Sequence, residues 1–288
     1  MHEFCGDVRV SGRKYEGVIL DIDGVLKRGS KPILGAPETV NKLRELGLKV
    51  IFLSNLSTKS REEYVQTLRS IGINVWPEDL VLATSATADY VARHSKTRKV
   101  YVVGHEGLMK ELRRAGLILV NDPEEAEFVV AGSPFDEKGF VTEENRWKFT
   151  GAIRAIMLAN AKFVAVNPDK LFPGSDGKPI PGTGTFLGAI EAATGVKPLI
   201  IGKPSRLIYK VALDRLGTPP EKTIMVGDQI YTDILPAKEL GLTTVLVLTG
   251  ITRRDDLEKM DDVTKSKIDY VFNSVRALVK LVGGEKQC

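Results

Sequence analysis

The sequence predicts an α/β fold built on parallel β-sheets. Short runs rich in β-branched and other apolar residues recur along the chain and have the length of buried strands. Amphipathic segments with helical spacing lie between many of them, and most of these segments end at a glycine, which commonly terminates helices. Strands and helices that alternate in this way favour parallel sheets covered by helices on both faces.

These elements follow one another from residue 18 to residue 272. The predicted strands cover residues 18–22, 50–54, 100–103, 128–131, 163–166, 199–201, 223–226, 243–248 and 270–272. The predicted helices cover residues 37–46, 61–71, 107–115, 147–159, 206–216 and 232–240. The glycines that end helices are Gly47, Gly72, Gly116, Gly217 and Gly241.

The arrangement of strands predicts two domains instead of one large sheet. The middle of the chain carries its own alternation of strands and helices, between two groups of polar residues that follow strands. We therefore predict a parallel-sheet core domain of residues 1–83 and 183–288, with an inserted α/β domain of residues 84–182.

The composition excludes several functional classes. A net charge of +4 over 288 residues is too small and too dispersed to predict a nucleic-acid or membrane surface. Cys5 and Cys288 form no CxxC pair, so neither a zinc site nor a disulfide framework is indicated. The first residues contain no apolar leader, and no apolar run is long enough to span a membrane, so we expect a cytoplasmic protein.

The most informative segment is the end of the first predicted strand. Its apolar run leads into Asp21-Ile22-Asp23-Gly24, which places two carboxylates at the edge of a sheet where ligands of α/β proteins bind. An unpaired carboxylate there is costly, and a bound divalent cation explains the presence of two. An Asx-type turn that leaves the strand is the alternative interpretation.

A second strand also ends in acidic residues. Gly227-Asp228 follows the apolar run 223–226, and Asp233 lies near the start of a predicted helix. Carboxylate oxygens from separate strands are ligands that Mg²⁺ prefers, so these residues and Asp21 predict a magnesium site. Taken alone, Asp233 is also explained as a helix cap.

Two further strand ends offer groups that bind phosphate. Ser54-Asn55 presents a hydroxyl and backbone N–H groups, and Gly202-Lys203-Pro204 places a lysine beyond the run 199–201. Each signal is weak alone, because a lysine after a strand is usually an exposed surface residue. Their coincidence with the two acidic strand ends predicts one site.

The four strand ends resemble the four motifs of the haloacid dehalogenase (HAD) superfamily, which are Asp-x-Asp-Gly, Ser/Thr-Asn, Lys and Gly-Asp-x-x-x-x-Asp. The resemblance covers nearly the whole chain. With Asn167-Pro168-Asp169 and Ser175-Asp176-Gly177 ahead of Gly202-Lys203-Pro204, the chain is similar to the capped class IIA branch, the NagD-like and para-nitrophenylphosphatase-like proteins. This resemblance implies a phosphatase with a Rossmann-like parallel-sheet HAD core, in which the inserted domain 84–182 is an α/β cap domain of the C2 type.

The resemblance implies catalytic roles for the first motif. Asp21 is expected to attack phosphorus and form an aspartyl phosphate, which water then hydrolyses. Asp23 is expected to protonate the leaving alkoxide and afterwards to deprotonate the water.

The resemblance also implies the groups that bind metal and phosphate. Mg²⁺ is expected to be held by Asp21, the backbone carbonyl of Asp23 and Asp228, with Asp233 acting directly or from outside the ligand shell. The expected phosphate-binding groups are Ser54, the amides near Asn55 and the Lys203 ammonium.

The cap is expected to supply substrate contacts from the loop that contains Asn167, Asp169, Leu171 and Phe172. An Asn-Pro-Asp turn after a strand is an alternative explanation of the first two. The chain departs from many relatives at Leu56, where they carry a second Asn, so only the Leu56 backbone amide could serve there.

The expected substrate is a small phosphorylated metabolite, and the sequence does not rank phosphoglycolate, glycerol phosphate, sugar phosphates, nucleotides, pyridoxal phosphate or phosphotyrosine. Transfer of the phosphoryl group to another substrate is one alternative reaction. A catalytically weak phosphate-binding protein and a phospho-signalling protein on the same fold are the alternatives outside enzymology. Relatives imply a homodimer through the cap, although the sequence shows no contact surface for one.

Overall fold

The computed structural model describes residues 14–173 and 178–283 and shows an α/β fold with two parallel sheets. Its strands are β1 (Gly17–Asp21), β2 (Lys27–Arg28), β3 (Lys31–Pro32), β4 (Lys49–Ser54), β5 (Leu80–Leu82), β6 (Lys99–Val103), β7 (Ile118–Leu119), β8 (Phe128–Ala131), β9 (Lys162–Ala165), β10 (Leu171–Pro173), β11 (Pro179–Pro181), β12 (Leu199–Ile200), β13 (Thr223–Gly227), β14 (Thr243–Val247) and β15 (Tyr270–Phe272). Its α-helices are α1 (Ala36–Glu45), α2 (Arg61–Arg69), α3 (Ala83–His94), α4 (Glu106–Arg114), α5 (Lys148–Leu158), α6 (Thr183–Thr194), α7 (Arg206–Leu216), α8 (Leu235–Glu239), α9 (Arg254–Glu258), α10 (Asp262–Lys265) and α11 (Leu278–Gly283). The predicted fold class is confirmed.

The larger sheet has six parallel strands in the order β15-β14-β13-β1-β4-β5. Its central strand β1 is buried along its whole length, as its apolar sequence requires. Successive side chains of a strand point to opposite faces, so Val18 and Leu20 join one apolar cluster and Ile19 joins another. Because β4 and β13 flank β1, the residues that end these three strands lie side by side.

The second sheet has five parallel strands in the order β12-β9-β8-β6-β7. Its strand β12 lies within the predicted core segment 183–288, yet Leu199 pairs with Val164 of β9. Helix α6 also packs on this sheet through Phe186, Leu187 and Ile190. The sheet therefore extends beyond the predicted cap limits of 84–182, because a strand further along the chain completes its edge.

The two sheets are joined through helices α2 and α4. Arg61 of α2 donates to the buried carboxylate of Glu111 of α4 at 2.9 Å, and the Arg61 backbone N–H also donates to it at 2.7 Å. Exposed ion pairs, Glu62 with Arg114 and Glu63 with Lys110, join the same helices. These contacts fix the position of α4 against the segment that leaves strand β4.

Several elements were not predicted. Helix α3 was missed because small residues form its buried face, including Thr84, Ser85 and Thr87, so its apolar periodicity is weak. Helix α6 was missed because it carries Gly184 and Gly188 in its interior, where glycine disfavours helix. Within the described residues, no helix has both the length and the apolar character needed to cross a membrane.

Candidate active site

Three carboxylates converge at the carboxyl ends of the central strands. Asp21 is the last residue of β1, Asp228 directly follows β13, and Asp233 lies in a π-helical turn, Ile230–Ile234. One oxygen from each lies within 4.8 Å of the others, and all three side chains are buried. The structure thus brings together the three acids that the sequence placed at two strand ends and near the start of a predicted helix.

Lys203 lies within this acidic cluster. Its buried ammonium donates to Oδ1 of Asp21 at 2.6 Å and to Oδ1 of Asp233 at 2.7 Å. The strand that precedes the lysine belongs to the second sheet, so the site is assembled from both sheets. Three carboxylates and one ammonium leave an excess of two negative charges when all are ionised.

Burial and charge shift the pKa values of these groups. Burial raises the pKa of Asp21 well above 3.8, against the opposing effect of Lys203. Burial also raises the pKa of Asp228 to about 6, and the nearby Asp233 carboxylate adds to the effect. Burial alone would lower the pKa of Lys203, but Asp21 and Asp233 raise it well above its ordinary value, so the lysine is a permanent cation.

The surroundings of Asp228 fit a divalent cation. Its Oδ2 accepts from the Ile251 backbone N–H at 2.7 Å, whereas its buried Oδ1 has no hydrogen-bond partner within the described part of the chain. A Cβ atom at Gly24 or Gly250 would overlap with this carboxylate. An unsatisfied buried oxygen is costly, and a metal ion is a partner that oxygen ligands of this kind accept.

Asp233 has a different set of partners. Its Oδ2 accepts from the backbone N–H groups of Asp228 and Gln229 at 3.2 and 3.0 Å, while its Oδ1 accepts from Lys203. Beneath the turn, the buried hydroxyl of Tyr209 donates to the Thr232 carbonyl. Asp233 therefore shapes the loop that carries Asp228 as well as adding charge to the cluster.

Asp23 lies apart from the three buried acids. Its side chain is 58% exposed and forms an ion pair with Lys27, which the β2–β3 hairpin places opposite it. The hydroxyl of Tyr64, on helix α2, donates to its Oδ2 at 3.4 Å. An exposed carboxyl two residues from Asp21 can exchange protons with solvent and with a ligand bound at the strand end.

Ser54 and Asn55, which end strand β4, differ in their environment. Ser54 is buried, and its hydroxyl accepts from the Leu56 backbone N–H at 3.2 Å. Asn55 directs its side chain to the backbone of Lys203 and to Asp169. The side-chain amide of Asn55 is therefore engaged elsewhere, and only its backbone would be available for the phosphate-binding role expected at this position.

The four predicted cap-loop residues have different environments. Asn167 is buried and donates to the Asn55 carbonyl at 2.6 Å, and Asp169 accepts from the Asn55 side chain at 3.2 Å. Leu171, at 63% exposure, and the partly buried Phe172 lie on the β10–β11 hairpin. Of these four residues, Asn167 and Asp169 hold the loop through hydrogen bonds, whereas the apolar side chains of Leu171 and Phe172 form none.

Sequence reasoning did not identify Lys27, Tyr64 or Tyr209 as neighbours of the site. Gly24, which follows the acidic end of β1, gave a signal of close approach to Asp228, but no local pattern in the sequence indicates these three residues. The predicted motif residues Ser175, Asp176 and Gly177 lie outside the described residues, as do Cys5 and Cys288.

Comparison with known proteins finds matches over most of the chain. A family model described as haloacid dehalogenase-like hydrolase matches residues 18–118, and a HAD-hydrolase-like model matches residues 200–278. The sugar-phosphatase AraL of Bacillus subtilis is 33% identical over 266 residues, which is 92% of each chain.

Two solved structures are similar over almost their full length. The p-nitrophenyl phosphatase from Archaeoglobus fulgidus is 44% identical with a TM-score of 0.83, and the match covers 94% of this chain and all of that one. NagD from Escherichia coli K-12 is 30% identical with a TM-score of 0.79, covering 91% and 98% of the two chains. The chain therefore belongs to the haloacid dehalogenase-like hydrolases, in their NagD-like and para-nitrophenylphosphatase branch.

Proposed function

We propose that this protein is a magnesium-dependent phosphatase that hydrolyses small phosphate monoesters through an aspartyl phosphate on Asp21. The observation that carries the proposal is the buried Asp21–Lys203 pair inside a cluster of three acids. The relatives support the activity, because they include a sugar-phosphatase and a p-nitrophenyl phosphatase. The protein is accordingly a phosphoric monoester hydrolase.

The first step is nucleophilic attack on phosphorus. An oxygen of the Asp21 carboxylate forms a bond to phosphorus as the bond to the leaving alkoxide breaks, and the Asp23 carboxyl gives its proton to that alkoxide. The alcohol leaves, and the phosphoryl group remains on Asp21. Lys203 and the groups at the end of β4 offset the charge on the phosphoryl oxygens.

The second step is hydrolysis of the aspartyl phosphate. A water oxygen attacks phosphorus while Asp23, now a carboxylate, accepts a proton from it. The bond between phosphorus and the Asp21 oxygen breaks, which restores the Asp21 carboxylate and releases inorganic phosphate. Asp23 then carries the proton needed for the next cycle.

Mg²⁺ is the cation that fits the donor set best. Asp21 and Asp228, with the Asp23 backbone carbonyl, would hold it, and Asp233 would support the Asp228 loop. When bound, the ion offsets the negative charge between the carboxylate nucleophile and the phosphate. Because burial raises the pKa of Asp21, a cation bound beside it would favour the ionised, nucleophilic form of the carboxyl.

The test is phosphate release from para-nitrophenyl phosphate and from a panel of sugar, glycerol and nucleotide monophosphates, with Mg²⁺ or with EDTA. Wild type should release phosphate only with Mg²⁺, and Asp21→Asn should release none. Asp262→Asn is the matched control, because that side chain is fully exposed and remote in sequence from the motifs.

Two results would contradict the proposal. Undiminished release by Asp21→Asn would exclude Asp21 as the nucleophile. A stable phosphorylated wild type that releases no phosphate would favour the signalling alternative, and transfer of the phosphoryl group to a second substrate without phosphate release would favour the transferase alternative.

A further inference from the structure

The side chain of Asn55 holds the backbone of Lys203 at two points. Its amide oxygen accepts from the Lys203 N–H at 2.7 Å, and its amide nitrogen donates to the Lys203 carbonyl at 2.9 Å. Gly202 makes this approach feasible, because a Cβ atom there would lie 2.7 Å from the Asn55 amide oxygen. A donor and an acceptor that bind one residue on both sides fix its orientation as well as its position.

The same asparagine is bound to the loop 167–170 of the second sheet. Its amide nitrogen donates to both carboxylate oxygens of Asp169 at 3.2 Å, and its backbone carbonyl accepts from Asn167 at 2.6 Å. The Asn167 amide oxygen in turn accepts from the Asp169 N–H at 3.1 Å. Every polar group of the Asn55 side chain is therefore engaged either with Lys203 or with this loop.

The loop is itself attached to the start of helix α6. The Gly184 N–H donates to the Asp169 carbonyl and the Gly182 N–H donates to the Lys170 carbonyl, both at 2.8 Å. A Cβ atom at Gly182 would overlap with the Asp169 carbonyl. The position of Asp169 thus depends on the backbone at the start of helix α6. Because α6 packs on the second sheet, this contact links that sheet to Asn55.

We propose that Asn55 is a positioning residue, oriented by Asp169, that places the Lys203 ammonium beside Asp21 only when loop 167–170 is docked. The inference rests on the proposed phosphatase function. A lysine side chain is long and flexible, so the direction of its backbone decides where its ammonium reaches. Without Asp169, one amide hydrogen of Asn55 would lie partly buried without a partner, and only the two hydrogen bonds to Lys203 would orient the asparagine, so its orientation would be less firmly fixed.

This assignment differs from a direct substrate contact by Asp169. A carboxylate that contacts the leaving group would matter for some substrates and not for others, and it would not affect inorganic phosphate, which has no leaving group. A carboxylate that orients Asn55 affects binding of every phosphate ligand equally. A pure charge effect would strengthen phosphate binding when Asp169 is neutralised, whichever residue replaces it.

The experiment measures binding of inorganic phosphate by titration calorimetry with Mg²⁺, together with kcat and KM for para-nitrophenyl phosphate and glycerol phosphate. Asp169→Ala and Asn55→Ala should weaken phosphate binding by about 10- to 100-fold, the loss expected for a charge-assisted hydrogen bond. Asp169→Asn, which keeps an acceptor for the Asn55 amide, should retain most of the binding. Lys170→Ala is the control, because that exposed side chain follows Asp169 in the same loop.

Circular dichroism and size-exclusion chromatography would show that each variant is folded. Asp169→Ala with wild-type phosphate affinity would overturn the inference, as would equally tightened binding in Asp169→Ala and Asp169→Asn. Loss of activity on one substrate alone would assign Asp169 to substrate contact instead. A wild type that hydrolyses no substrate and binds no phosphate would overturn the proposed function and this inference with it, whereas an active wild type with an unaffected Asp169→Ala would overturn this inference alone.

Discussion

Replacing Lys203 with methionine tests the electrostatics of the site directly. Its ammonium lies 2.6 Å from Asp21 and 2.7 Å from Asp233, and the two acids and the lysine are all buried. In Lys203→Met, three clustered carboxylates would be left without a cation. Removing one partner of a buried ion pair costs about 3 to 5 kcal/mol, because the remaining charge is uncompensated.

This cost converts into a measurable shift. At about 2 °C per kcal/mol for a chain of this size, the melting temperature in EDTA near neutral pH should fall by about 6 to 10 °C. Unfolding in urea, followed by circular dichroism, provides the free energy itself. Lys170→Met, at an exposed lysine, should change stability by less than about 0.5 kcal/mol.

A second variant separates charge from packing. Adding Asp21→Asn to Lys203→Met removes one uncompensated carboxylate, so the double variant should recover part of the lost stability. The electrostatic reasoning is refuted if the free energy of unfolding of Lys203→Met in EDTA lies within about 1 kcal/mol of the wild-type value. It is also refuted if the double variant is less stable than Lys203→Met.

Three further outcomes are expected. Asp23→Asn should lower kcat/KM, which reports the steps up to release of the alcohol, by about 100-fold or more for alkyl phosphates and by less for para-nitrophenyl phosphate, whose leaving group needs no proton; equal losses in kcat/KM would exclude Asp23 as the acid. Mg²⁺ should raise the melting temperature of wild type but not of Asp228→Ala, and an equal rise in both would place the cation elsewhere. Burial raises the pKa of Asp169 from its ordinary value of 3.8 to about 6. The stability contributed by its protonated form is therefore complete below pH 3.8 and is lost as the pH rises through about 6. Melting curves of Asp169→Asn should therefore match wild type near pH 4 and lie higher near pH 7, and parallel curves would contradict this.

The sequence predicts the sheets well because their strands are apolar and uninterrupted. The apolar runs before Asp21 and Asp228 are explained only by burial of these strands, and neighbouring parallel strands place their carboxyl ends at the same edge of a sheet. Helices α3 and α6 are different, because small residues and glycines mask their periodicity. Their formation depends on the tertiary surface against which they pack, which no local pattern contains.

The candidate site was predictable as a set of motifs but not as a geometry. Local sequence cannot show that the strand before Lys203 pairs with the second sheet, since Leu199 meets Val164 only after both have folded. It also cannot show that the Asn55 side chain turns to Lys203 and Asp169, or that Lys27 faces Asp23. These features depend on contacts between residues that are distant along the chain.

The contact between helices α2 and α4 limits how the second sheet can move relative to the first. When the helices are seated, Glu111 is buried and Arg61 neutralises it. A slide of a few ångströms would leave Glu111 buried and unpaired, whereas full separation would return both charges to water. The buried apolar cluster that both sheets share, which includes Ile19 and Val130, opposes the same movement, so the ion pair and the apolar contact hold the two sheets in one relative position.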